Sequence, residues 1–443
     1  MREVNRLFPD ESITKNSGYE SSGILRFLLL LSFVLDARLA CVVSLPGFFG
    51  RWTSTNWDKE LVCVAAFVVF ALYFVRYKDL VLKKLDCFLP IYLLCLLTVC
   101  AVEVVYSMKI MGSPFSASIK ASEVAFFILA LPLLVQMVVD GSYRKMMDWL
   151  TVIATVCAVA MLLQSFFYSV TGGILFSAMT NTSGADVSIR DFGIRFSPPG
   201  GLMTFATIYA AISAVFLSKE KRNRLHYIVC TVLLILAIVV VYQTRMEDIA
   251  LIGSLLLGTV ICAESGRLSK GIKKLLVILL VVLMFCMGFF ESFIASFSST
   301  DTVYSGSASI RAYAYSYYFE MFLRYPLLGF GSLPSTSSLL HGNGTAYISD
   351  VGIVGLAAQW GLLFVVLYLI FFWRMISVYR NTRGDVGGLE RALMLTMIIY
   401  LLFTSATLCC YSPALGIRVV IALALFELLN FQIEERRKAV HDA

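Results

Sequence analysis

The sequence predicts an all-α polytopic membrane protein: a single transmembrane domain over residues 1–443, about 12 crossings, and both the N- and C-termini cytoplasmic. Three observations predict it. Hydrophobic residues make up 59% of the chain and charged residues 15%, with a mean hydropathy of +0.82. Soluble domains carry about 45–50% apolar and about 25% charged residues. The apolar residues also gather into stretches near the roughly 20 residues that a helix needs to cross the hydrocarbon core. Finally, lysine and arginine concentrate in every second loop, as they do in cytoplasmic loops.

The expected spans in the first half are Gly23–Ser44, Leu61–Val75, Cys87–Tyr106, Val124–Val139, Leu150–Val170 and Leu202–Leu217. Those in the second half are Tyr227–Tyr242, Ile249–Cys262, Leu275–Phe290, Val351–Trp373, Ala392–Cys410 and Leu415–Leu429. With the N-terminus inside, the inner segments hold 24 of the 36 basic residues and the outer loops hold nine. The net charge of +7 therefore reflects inner loops facing anionic headgroups and does not point to nucleic acid. All 11 cysteines fall in or at apolar stretches, so no outer disulfide framework is expected. The polar leader before Gly23 lacks a small-residue cleavage site after its first apolar run and is not expected to be removed. Charge near the middle of the spans reads as sparse, with Asp36, Arg38 and Arg418 as its members.

Two outer loops stand out by length, 171–201 and 291–350. In the longer one, Ser296–Ser309 reads as a flexible entry, and Ala308–Tyr325 as an amphipathic aromatic helix ended by Pro326. Helical spacing puts Arg311, Tyr315, Tyr318, Phe322 and Tyr325 on one face, with Arg324 away from it. Such a face suits either the membrane interface or a platform for sugar rings, and the two are compatible. Gly352 and Gly355 at the head of the tenth span permit close packing on a neighbour.

Candidate chemistry lies in the outer loops. His341 is the outward histidine of three, and imidazole is suited to general-base work near neutral pH. Beyond Lys120 the outer cations are all arginines: Arg190, Arg195, Arg245, Arg311 and Arg324. A guanidinium offers a planar fork that binds phosphate bidentately, which lysine does not. Arg245 lies in the tight turn Gln243–Asp248, expected to hold a charge cluster with Glu247 and Asp248 at the membrane surface. Snorkelling to lipid phosphates, or pairing with those two carboxylates, is the alternative for Arg245. No P-loop, dinucleotide fingerprint, nucleophile elbow or metal-ligand cluster is visible, so neither cofactor nor metal is expected. Several arginines and one base opening onto lipid fit a lipid diphosphate, whose leaving-group charge preorganised cations would stabilise.

The residues from His341 to Gly355 resemble the signature loop of the O-antigen ligase and polymerase superfamily of bacterial polytopic membrane glycosyltransferases. That pattern places an acidic residue nine positions after the histidine and glycines at eleven and fourteen; His341, Asp350, Gly352 and Gly355 are in register. An Arg-led aromatic helix before Pro326-Leu327-Leu328-Gly329-Phe330-Gly331, and Thr244-Arg245 at the head of a middle span, also resemble the family. Two positions depart from it: Gly342 where asparagine is common, and Asp350 where glutamate is commoner. The resemblance implies transfer of a glycan from an undecaprenyl diphosphate carrier to an acceptor hydroxyl outside the bacterial inner membrane, without metal or cofactor. It implies His341, Arg245 and Arg311 as catalytic residues. Arg195, Arg190, Arg324, Tyr315, Tyr318 and Asp350 are the expected substrate-binding set. Membrane lipids and a chain-length regulator are the further partners implied, with no nucleic acid. The acceptor is left open between a lipid-linked repeat unit (a polymerase), lipid A core (a ligase) and a protein hydroxyl; the polymerase is the leading expectation. A flippase or transporter, with internal repeats, broken helices and midplane charge, is the rival class.

The fork geometry supplies a test. Arg245→Ala is expected to abolish surface polymer while the protein still accumulates in membranes, and Arg245→Lys to restore little of it. Wild-type polymer from Arg245→Ala would remove the phosphate-clamp role.

Overall fold

The computed structural model describes residues 88–115, 118, 143–173, 175–176, 188–190, 193–195, 200–216, 221–242, 245–262, 305–333, 337–342, 346–348, 351–381, 388–407, 409, 418–419, 421–427 and 429–430, with isolated positions 68, 71 and 434. Both termini lie outside them, as do the expected spans Gly23–Ser44, Val124–Val139 and Leu275–Phe290 and nearly all of Leu61–Val75.

The described chain is helical. Its elements in order are α1 (Phe88–Lys109), α2 (Tyr143–Thr171), β1 (Ser188–Arg190), β2 (Gly193–Arg195), α3 (Gly200–Phe216) and α4 (Lys221–Leu236). A π-helical stretch, Ala237–Tyr242, continues α4, and then come α5 (Arg245–Cys262), α6 (Ser305–Arg324), α7 (Ser338–His341), α8 (Gly352–Asn381) and α9 (Gly388–Thr404). The segments Ile91–Lys109 in α1, Arg144–Thr171 in α2, Arg224–Val241 across α4 and the π-helical stretch, and Gly352–Asn381 in α8 are long and apolar enough to cross a membrane. Helices α3, α5 and α9 fall on three further expected spans.

The helix surfaces carry the same message as their length. Phe166 is 70% exposed, Leu94 66% and Trp373 65%, each on a helix whose opposite side is buried. Water-soluble proteins do not leave broad apolar faces open, whereas lipid solvates them.

The all-α expectation holds for the described residues, and the one addition to it is local. Strands β1 and β2 pair antiparallel in the shorter loop, with Ile189 opposite Ile194. The brief alternation Ser-Ile-Arg and Gly-Ile-Arg, separated by two residues, is a period-2 pattern that suits a tight hairpin.

Packing gathers the helix ends into two groups. At one end Arg144 at the start of α2 pairs with Glu390 at the start of α9 at 2.8 Å, and Gly388 lies against Phe216 at the end of α3. At the other, Ile353 at the start of α8 donates its N–H to Ser405 O just after α9, at 2.9 Å. Strand β2 there packs on α2 and on the π-helical stretch that leads to α5. Helices α5 and α9 run closely together because Gly258 has no side chain: a Cβ there would lie 3.3 Å from Ala392 O and overlap Thr396.

Helix α8 reads as one span in sequence but is broken at Gly361, where φ is +66° and ψ −161°. The turn after α6 fills the break. Phe330 N–H donates to Ala358 O at 3.0 Å, Gly331 N–H to Gln359 O at 2.8 Å, and Leu362 N–H to Pro326 O at 2.8 Å. Ser107 on α1 closes the far side, its hydroxyl accepting from Ser332 N–H at 2.7 Å. One turn below it, Glu103 is fully buried, and neither carboxylate oxygen has a partner among the described residues. It lies near the end of the expected span Cys87–Tyr106, an ionisable group that the sequence reading did not single out.

Gly361 sits where only glycine is at ease, and a Cβ there would come 2.2 Å from Leu327 O. Gly361→Ala is expected to lower the unfolding temperature in detergent clearly, by a loss of about 1–3 kcal/mol or more. Gly253→Ala, with only Phe403 at 3.6 Å, is the neutral control. Equal melting of Gly361→Ala and wild type would mean the break is not required.

Candidate functional site

Helix α6 begins at Ser305, three residues earlier than the expected Ala308, and ends at Arg324 because the residue before Pro326 disfavours helix. Its two sides do different work. Ala314, Tyr318 and Met321 are buried against Phe330, Leu340 and Ala358, forming a small second core on α8. Phe319 and Leu323 face outward and exposed, beside the exposed polar edge of Glu320 and Arg324. A helix with a lipid-compatible edge next to a polar edge suits the membrane interface.

The buried side of α6 holds the loop that carries His341. Tyr317 donates its hydroxyl to Leu339 O at 3.0 Å, and Tyr318 donates to Leu340 O, the two carbonyls immediately before His341. Tyr318 also reaches Ala346 O at 3.5 Å. Gly342, with φ +53°, lies over the stacked Tyr313 and Tyr317 rings; a Cβ there would be 3.0 Å from the Tyr313 hydroxyl. Burial, reinforced by Tyr313, Glu320 and Tyr325, raises the Tyr317 hydroxyl above its ordinary value, which keeps it a donor at neutral pH. His341 itself is half-buried, its ring edge-on to Tyr347 at 5.7 Å, and its carbonyl accepts from Ala346 N–H at 3.1 Å.

The other expected site residues divide. Tyr318 has no exposed surface, so it holds the loop and offers no face to a ligand. Tyr315 is half-buried and donates to Ala406 O, tying α6 to the turn after α9. Arg311, one turn earlier on the same face, is half-buried. Arg324 is exposed, with its guanidinium 5.7 Å over the Tyr325 ring. Pairing of Ser188 with Arg195 and of Arg190 with Gly193 places positions 190 and 195 on one face of the hairpin. Arg245 is the first residue of α5. The side chains of Arg190, Arg195 and Arg245, and the whole of Asp350, lie outside the described residues. Gly352 packs closely on the turn after α9, its Cβ position 2.2 Å from Ser405 O. Gly355 instead meets Ile348 and Val351 of the preceding segment.

The surface charge cluster expected around Arg245 is corrected. Glu247 is fully buried, and its Oε1 accepts from Thr204 Oγ1 on α3 at 2.7 Å, from Tyr400 on α9 at 2.7 Å and from Arg418 Nη2. Asp248 beside it is buried as well. The signal that was available is Arg418: a lone guanidinium in an apolar span requires a carboxylate brought to it from another helix. Among the described residues no group of three or more His, Cys, Asp or Glu is placed to hold a metal.

No family model matches the chain, and a search of curated proteins finds no match. The functional reading therefore rests on the residues.

If Tyr317 and Tyr318 hold the His341 loop, then Tyr317→Phe with Tyr318→Phe leaves two carbonyls short of a donor, at about 1–3 kcal/mol each. Hydrogen exchange of residues 338–342 and 346–348 is expected to speed up while α2 and α3 stay unchanged. Unaltered exchange in the loop would remove this role.

Proposed function

We propose that the chain is a bacterial polysaccharide polymerase of the inner membrane. It would transfer glycan from undecaprenyl diphosphate to a lipid-linked repeat unit on the outer face. The observation that carries the reading is the fixed placement of His341 on the tyrosines of α6, at the same end as the head of α5 and the β1–β2 hairpin. The turn after α9 links the two groups, since Tyr315 bonds Ala406 and, on α9 itself, Tyr400 bonds Glu247.

In this reading the acceptor hydroxyl gives its proton to His341 and attacks the anomeric carbon of the donor glycan. The bond from that carbon to the diphosphate oxygen breaks as the new glycosidic bond forms. The diphosphate leaves with its added negative charge held by Arg245 and Arg311, with Arg190, Arg195 and Arg324 in support. Tyr315 supplies aromatic surface for a sugar, and Asp350 follows His341 in the loop. About 12 spans with cytoplasmic termini would put this end outside, as the distribution of basic residues requires. Helix α6 would lie in the interface, where a polyprenyl carrier presents its diphosphate.

A transporter is the second reading, favoured by the break in α8 and by the buried Glu103, Glu247 and Arg418. Transporters use broken helices to expose backbone to a substrate. Here the carbonyls of Ala358 and Gln359 already accept from the chain's own turn, which favours the enzyme. A ligase with lipid A core as acceptor would use the same residues.

Deletion of the gene is expected to leave single repeat units on the cell surface, read on a gel of surface polysaccharide. Complementation with His341→Ala should lower polymer formation by about a hundredfold or more, the scale of general-base catalysis. Loss of all surface glycan on deletion would make it a ligase. Unchanged glycan with altered solute uptake would make it a transporter.

A further inference from the structure

The buried Arg418–Glu247 pair lies where it can govern Arg245. Glu247 follows Arg245 by two residues in the first turn of α5. Three directional donors converge on its Oε1: Thr204 Oγ1 and the Tyr400 hydroxyl, each at 2.7 Å, and Arg418 Nη2. The Arg418 guanidinium carbon also sits 5.3 Å over the Tyr400 ring. Four parts of the chain thus meet at one carboxylate oxygen: α3, α5, α9 and the described residues around 418. Thr204 stands in the first turns of α3, the helix that follows the Arg195 strand in sequence.

A buried ion pair contributes little net stability compared with well-packed apolar residues of similar size. What apolar packing does not supply is direction. An oxygen with three fixed donors sets both the rotation of α5 about its axis and its depth, and with them the place of its first residue. A phosphate clamp needs that precision, because a misplacement of about 1 Å costs up to about a hundredfold in a preorganised site.

We infer that Arg418 and Glu247, with Tyr400 and Thr204, are positioning residues that set the Arg245 end of α5 for the diphosphate; this rests on the proposed phosphate role of Arg245. The test uses the full chain in lipid nanodiscs, with undecaprenyl diphosphate as the probe and binding and melting as readouts. Glu247→Leu with Arg418→Met removes both charges, so no unpaired ion is left buried. This protein is expected to melt near wild type yet bind the probe about tenfold more weakly. Wild-type affinity in a folded double variant would overturn the inference.

Should that variant not accumulate, Tyr400→Phe with Thr204→Val decides, because it keeps the ion pair and removes two of the three donors. It is expected to bind the probe at least about threefold more weakly, and wild-type affinity would overturn the inference. Arg245→Ala, measured alongside, separates the two levels. If it binds like wild type, the phosphate role of Arg245 fails. If it binds weakly while the network variants bind normally, only the positioning role falls.

Discussion

A hydrocarbon environment offers no water to an exposed peptide group, so a helix broken inside it must have its freed N–H and C=O groups satisfied by protein. Helix α8 meets this constraint at Gly361 by taking in the turn Pro326–Gly331, which makes three backbone hydrogen bonds across the break. Much of the His341 end follows from that. Helix α6 ends directly before the turn, so docking the turn fixes where α6 lies on α8. The tyrosines of α6 then reach the carbonyls before His341, and Ser107 anchors the same turn to α1. Backbone chemistry at one glycine is thereby transmitted to a candidate base some twenty residues earlier in the chain.

The second organising element is electrostatic and behaves differently. Arg418 and Glu247 are both 0% exposed, so removing one partner leaves an uncompensated buried ion, at about 3–5 kcal/mol. The Arg144–Glu390 pair at the opposite end has a partly exposed arginine and is screened, so it contributes far less. Arg374 and Glu427 form a better-enclosed fork, with both N–H···O distances at 2.7 Å. Strong constraint on helix register therefore comes from the Arg374–Glu427 fork at one end and from the Glu247 network at the other, the latter close to the arginines argued to meet phosphate.

What was legible in the sequence follows from the period and length of its patterns. Long apolar runs and the aromatic helix before Pro326 announce themselves, because each is a local consequence of composition and spacing. The β1–β2 hairpin was missed because three-residue strands are too short for a period-2 signal to outweigh the surrounding loop. The break at Gly361 was hidden within a long, largely apolar run: its cause is the distant turn that fills it. The inward turn of Glu247 was misread for a related reason. Beside Arg245 and Asp248 it looks like surface charge, and only the arrival of Arg418 from the expected last span, Leu415–Leu429, makes its burial affordable. His341 was legible as a candidate; of its supports, Tyr318 reads as a ligand-facing aromatic and Tyr317 does not stand out, because a helical wheel gives faces without saying which face is covered.

The filled break also bears on how the two functional readings divide. A carrier that alternates access needs its discontinuous helix to exchange backbone partners with a substrate, so the gap must be vacant for part of the cycle. In α8 the gap is occupied by main chain whose glycines admit no side chain: a Cβ on Gly329 would lie 2.4 Å from Ala358 O, and one on Gly361 within 2.3 Å of Leu327 C. Withdrawing that turn would expose the carbonyls of Ala358 and Gln359 and carry α6 with it, dismantling the support of the His341 loop in the same movement. A fixed scaffold of this kind gains from staying shut, which is the requirement of a preorganised catalytic site.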